Sequence, residues 1–188
     1  MVCLQKFSVR SMVVCAICCA LTCVLSMFSI PIQPVPITLA TLAVYISGAF
    51  MGPIYGALSQ VLYLILVLVG IPCTAKLVGG VSVFTGPTAG FLVAYVPTAF
   101  VVGLLYGYCR KKFRSGPKKI LGLVAALLLG TVVCYVFGLL WYMIYSGVDI
   151  YKAFLVCVLP FLFGDGLKIA TVALIVPRIE KIINVDFY

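Results

Sequence analysis

The chain has 188 residues, of which 65% are hydrophobic and only 9% charged, with a formal net charge of +9 and no histidine. A charged fraction so far below the quarter usual in soluble domains excludes a water-soluble globule. Without histidine, Ser-His-Asp and Cys-His nucleophilic schemes and the H-E-x-x-H metalloprotease helix are excluded, and no G-x-x-x-x-G-K-[ST] loop is present to hold ATP.

Lipid leaves helices and closed barrels as the ways to satisfy backbone polar groups, and long apolar runs without alternation select helices. Cut at Pro, Gly and charge clusters, the chain gives six runs, 9–29, 37–52, 53–71, 89–109, 120–146 and 153–177, against the ~20 residues that a span requires. These predict an all-α integral membrane protein with six transmembrane helices in a single membrane domain, 1–188.

The first run follows Lys6 and Arg10. Its apolar core is too long for a signal-peptide h-region and no A-x-A-like site follows, so it is expected to stay as a helix. It carries Cys15, Cys18, Cys19 and Cys23. The C-x-x-C spacing there lacks the soluble βαβ context of a redox site, so the thiols read as small packing groups, and no metal site is expected. Ala16 and Ala20, four apart, let another helix approach closely, whether from a partner or from this chain. Gly52-Pro53 leaves room only for a tight turn, so the second and third runs should pair antiparallel, or the second should be tilted or broken.

Beyond the third run lies "AKLVGGVSVFTGPTAGF" (75–91), in which Gly79, Gly80, Gly86 and Gly90 admit close backbone approach and Ser82, Thr85 and Thr88 supply hydroxyls. "RKKFRSGPKK" (110–119) joins the fourth and fifth runs. With it, Lys6, Arg10, Arg178 and Lys181 place ten of the thirteen basic residues on one face, which the positive-inside rule makes cytoplasmic. Both termini are then cytoplasmic, and the basic excess reads as a topology and lipid signal, not a nucleic-acid one. The outer face receives the segments 30–36, 72–88 and 146–152, so Cys73 should be reachable from outside and Cys109 from inside.

The sixth run contains "PFLFGDGLKIATVAL" (160–174), with Asp165 and Lys168 three apart. A helix puts such a pair on one face, about 5–6 Å apart at Cβ. Asp165 precedes Arg178 by thirteen residues, about 20 Å of helix, which puts it in the outer half of the bilayer. An ionisable residue at that depth marks either a functional site or a structural ion pair. The other acidic residues, Asp149, Glu180 and Asp186, lie elsewhere, so paired-carboxylate chemistry is not expected.

In order and spacing, "PVPITLATLAVYISGAFMGPIYGALSQVLYL" (34–64), "GGVSVFTGPTAGF" (79–91) and "LPFLFGDGLK" (159–168) resemble the motifs of the biotin-specific substrate-capture subunit of energy-coupling-factor transporters, a six-helix S component. The resemblance implies high-affinity biotin capture from outside and uptake across the cytoplasmic membrane, without catalysis or cofactor, driven through a transmembrane coupling subunit and cytoplasmic ATPases. It carries Asp165 and Lys168 onto the binding motif, the segment from Thr85 through Gly86 to Thr88 onto the pocket loop, and Ala16 and Ala20 onto the docking patch. The chain departs from the family pattern at Ala40, at Lys76 and at Ala89-Gly90-Phe91. With biotin as ligand, Asp165 is expected to accept both ureido N–H groups, Lys168 to face the ureido oxygen, Gly90 to adjoin the pocket, and Lys76 to meet the carboxylate. An S component for another vitamin, an ion-coupled transporter working alone and a membrane assembly subunit are the alternatives.

Overall fold

A computed structural model describes residues 9–30, 35–113 and 116–183 of the chain. Lys6, residues 31–34 of the first outer segment, Arg114 and Asp186 lie outside the described residues, as does the side chain of Lys181. In chain order the elements are α1 (Val9–Met27), β1 (Ser29–Ile30), β2 (Ile37–Thr38), α2 (Ala40–Val69), a 3-10 turn (Val81–Val83), α3 (Ala89–Lys112), α4 (Pro117–Ser146), α5 (Ile150–Cys157) and α6 (Leu159–Ile183). The two short strands pair antiparallel, Ser29 with Thr38 and Ile30 with Ile37. Among the described residues five helices, α1, α2, α3, α4 and α6, are long and apolar enough to cross a membrane by length and composition.

One of the two longest of these, α2, is not a straight rod. Gly52, at φ 83° and ψ −176°, interrupts α2 just before Pro53. Its two halves fold back on each other: Gln60 Nε2 donates to Ser47 Oγ at 2.9 Å across thirteen residues, a separation of about 20 Å along an unbroken helix. Glycine alone takes that φ without steric cost, and it also lets the turn press on α3, where a Cβ on Gly103 would stand 2.5 Å from the Gly52 carbonyl carbon. The Gly52-Pro53 pair thus breaks the helix and brings the residues on either side of it into contact.

The expected run 153–177 is divided. Val158, at φ −120° and ψ −52°, separates α5 from α6, and α6 continues to Ile183. Pro160 stands in the first turn of α6, where a missing N–H removes no intrahelical bond. At the other helix ends, Gly70 (φ 107°) and Gly147 (φ 66°) take the left-handed cap conformation and close α2 and α4.

Helices in lipid gain little from apolar burial and associate through close packing and polar contacts. On α1 the buried residues Ser11, Cys15, Cys18, Cys19, Thr22 and Ser26 recur every three or four positions. They meet α2: Cys15 Sγ approaches Tyr55 O at 3.7 Å and Thr22 Oγ1 lies 3.3 Å from Gln60 Nε2. The thiols occupy the interface as packing groups. At the basic end of the bundle Glu180 of α6 is a junction. It accepts from Lys119 Nζ at 2.6 Å and from Tyr106 Oη at 3.1 Å, and Arg110 Nη1 stands 3.7 Å away, so α3, α4 and α6 are tied together there. The opposite end holds the β1–β2 ladder, the 70–88 segment and a cavity.

Candidate ligand site

The cavity encloses about 190 Å³ and is lined from α1, β2, the 70–88 segment and helices α2, α3, α4 and α6. Asp165 and Lys168, each only 5% exposed, face it from α6. Lys168 Nζ donates to Asp165 Oδ1 at 2.8 Å, which closes the i, i+3 pair, and to Thr41 Oγ1 of α2 at 2.9 Å. Tyr135 of α4 donates its hydroxyl to the other carboxylate oxygen of Asp165.

Counting donors and acceptors shows what remains for a ligand. An ammonium has three N–H groups, of which two are used, and each carboxylate oxygen has received one donor and can accept a second. One donor and at least two acceptor positions are therefore left, with Asp165 Oδ1 and Lys168 Nζ side by side. Around this polar spot the walls are aromatic. Phe91 and Phe161 stack with centroids 6.3 Å apart and planes 12° apart, and Tyr63 and Tyr95 lie at 6.1 Å. All four line the cavity.

The glycine-rich segment contributes unevenly. Gly86 and the half-buried Thr88 line the cavity, and Gly86 O accepts from Trp141 Nε1 at 3.0 Å, which fixes the loop to α4. Thr85 does not line it. Thr85 is exposed and its hydroxyl turns back to Ser82 O at 3.0 Å, closing the local turn. Gly90 does not line it either: a Cβ there would come within 2.2 Å of Trp141 Cβ and 2.8 Å of Phe137 O, so its role is to let α3 and α4 touch. Lys76 lines the cavity from an exposed position. Ala16 and Ala20 do not line the cavity and are exposed on α1 beside Met12, Val13 and Ile17. Among the described residues no group of three potential metal ligands is present.

Sequence reasoning did not single out Tyr135, Thr41 or Phe161. Each sits in an apolar run where an aromatic ring or a hydroxyl has the appearance of packing. Cys73, expected to be reachable, is 3% exposed, with its carbonyl accepting from Tyr63 Oη at 3.1 Å, and burial pushes its thiol up to about 12.

Comparison with known proteins places the chain in a family. A sequence model of the BioY family matches residues 3–185. The chain belongs to the BioY family. It is 35% identical over 161 residues to the probable biotin transporter BioY of Pyrococcus horikoshii, covering 86% of this chain and 90% of that one. It is 34% identical over 173 residues to the biotin transporter BioY of Thermotoga maritima, covering 92% and 97%. A crystal structure of the S-component for biotin from an ECF-type ABC transporter superposes with a TM-score of 0.83 at 30% identity, over 96% of this chain and 95% of that one. This BioY-family chain therefore shares that fold along nearly its whole length, and the helices that carry Asp165, Lys168 and Tyr135 fall inside the shared region.

Proposed function

We propose that the chain captures biotin at the outer face of the cytoplasmic membrane and is the substrate-binding subunit of an energy-coupling-factor transporter. The observation that carries this reading is the buried Asp165–Lys168 pair facing an aromatic-walled cavity, in a chain whose relatives are biotin transporters. A cyclic urea carries its N–H and C=O side by side on one edge, and the adjacent acceptor and donor of the pair match that edge. The two N–H groups of a five-membered urea diverge, so Asp165 takes one of them, not both. Lys168 donates its remaining N–H to the ureido oxygen, Gly86 and Thr88 border the ligand, and the stacked Phe91 and Phe161 enclose its apolar ring. Thr85 and Gly90, which do not line the cavity, are left out of these contacts.

Six spans in a single membrane domain follow from counting α2 as a hairpin, with α5 and α6 making the last crossing. Arg110, Lys111, Lys112, Lys118, Lys119 and Arg178, at one end of α3, α4 and α6, then face the cytoplasm, together with both termini. Docking on a transmembrane coupling subunit with cytoplasmic ATPases falls to the exposed Ala16 and Ala20 flank of α1, where small side chains permit close helix approach.

Equilibrium binding of labelled biotin to the purified chain tests the reading. Saturable binding that unlabelled biotin displaces is expected. A folded preparation that shows none overturns it.

A further inference from the structure

Among the described residues three charged side chains line the cavity: Asp165, Lys168 and Lys76. The first two are within 2.8 Å of each other and neutralise one another. Lys76 has no ion pair with a described residue, so the cavity as a whole keeps one positive charge, located at its mouth.

The backbone holds Lys76 in position. Leu77 N–H donates to Thr74 O at 2.9 Å, so Ala75 and Lys76 are the two central residues of a tight turn. Thr74 Oγ1 donates to Val78 O at 2.6 Å, and Ser29 Oγ, from the β1 ladder, donates to Ala75 O at 2.8 Å. Leu77 takes φ 54°, a conformation that a bulky side chain disfavours and that these bonds enforce. The lysine is thus presented at the apex of a braced turn on the wall of the cavity, in a segment that contributes no other cation.

We infer that Lys76 is the anion-recognising end of the site and meets the carboxylate tail of the ligand. The inference rests on the reading of the inner pair as the ureido subsite. A neutral head satisfies the self-compensated Asp165–Lys168 pair, whereas an anion placed there would face the Asp165 carboxylate. A carboxylate at the mouth meets the unpaired lysine. Because Lys76 is largely solvated, the contribution is modest, about fivefold in affinity, and weakens with salt.

The test compares biotin with its uncharged amide on the purified chain in detergent at low ionic strength. The wild-type protein should prefer the acid by about fivefold. Lys76→Ala and Lys76→Gln should erase that preference, Lys76→Glu should reverse it, and about 1 M salt, which cuts the screening length to about 3 Å, should shrink the wild-type preference. Lys168→Ala should weaken acid and amide alike. Equal binding of acid and amide by the wild type, or loss of the preference through Lys168→Ala and not through the Lys76 variants, overturns the inference while leaving biotin binding itself intact. Failure of the wild type to bind either compound instead overturns the underlying reading of the site.

Discussion

Replacing Asp165 by asparagine keeps the shape of the side chain and removes its charge. In the native site Asp165 Oδ1 lies 2.8 Å from Lys168 Nζ and both residues are 5% exposed, so solvent screens the pair little. Asparagine offers one carbonyl in place of two anionic oxygens. The ammonium attracts that carbonyl, so the ligand's N–H meets a neutral acceptor in place of an anionic one, and the amide NH2 is turned toward the Tyr135 hydroxyl. A bond to a charged acceptor contributes about 1.5–3 kcal/mol net, so biotin affinity should fall roughly 10- to 100-fold. The single variant also keeps a buried ammonium without its counter-charge, which destabilises by up to about 3–5 kcal/mol. A second variant, Asp165→Asn with Lys168→Met, removes both charges. It should recover thermal stability without recovering affinity. Competition of unlabelled against labelled biotin, with unfolding followed in the same detergent, reads both quantities. A double variant that unfolds like the wild type and binds biotin as tightly refutes the reasoning, because the pair then does no more than hold α6 in register.

Three further outcomes are expected. In a cysteine-free background, an impermeant maleimide should label Val81→Cys, a position 65% exposed at the cavity end, on intact cells, and Lys111→Cys only after permeabilisation; the reverse pattern inverts the proposed orientation. Ala16→Leu and Ala20→Leu should reduce copurification with a coupling subunit and leave biotin binding in place, whereas normal copurification and uptake would make that flank a lipid-facing surface. Gly90→Ala should destabilise the fold by about 1–3 kcal/mol through overpacking against Trp141 and so lower the unfolding temperature, whereas Gly86→Ala, with no atom nearer than 3.7 Å to the added Cβ, should not; equal midpoints for both would contradict the packing described.

How far the sequence could be read depended on the kind of signal. Charge inside an apolar run is conspicuous because lipid makes it costly, so Asp165 and Lys168 stood out and their i, i+3 spacing already implied contact. Their other partners did not. Tyr135 and Thr41 come from α4 and α2, and which turn of one helix faces which turn of another is a property of packing, with no local trace. The same limit applies to the glycines. Gly86 and Gly90 are four residues apart in one motif, yet one borders the cavity and the other is occupied by Trp141. Hydropathy alone also passed over Val158, because an apolar stretch shows the same index whether its helix is continuous or broken. Cys73 misled for a related reason: a loop position implies exposure only on average.

The junction at Glu180 has a mechanical consequence. It fastens α3, α4 and α6 to one another at the end remote from the cavity. Rods pinned at a common end move least near the pin and most at their free tips, so a given tilt of any of the three is spent where α4 and α6 contribute Tyr135, Asp165 and Lys168. With α4 about 45 Å long, a tilt of a few degrees shifts the far end by roughly the width of an atom. A substrate can thus be admitted or grasped by angular adjustments too small to disturb the basic end, which can stay seated against whatever it contacts throughout.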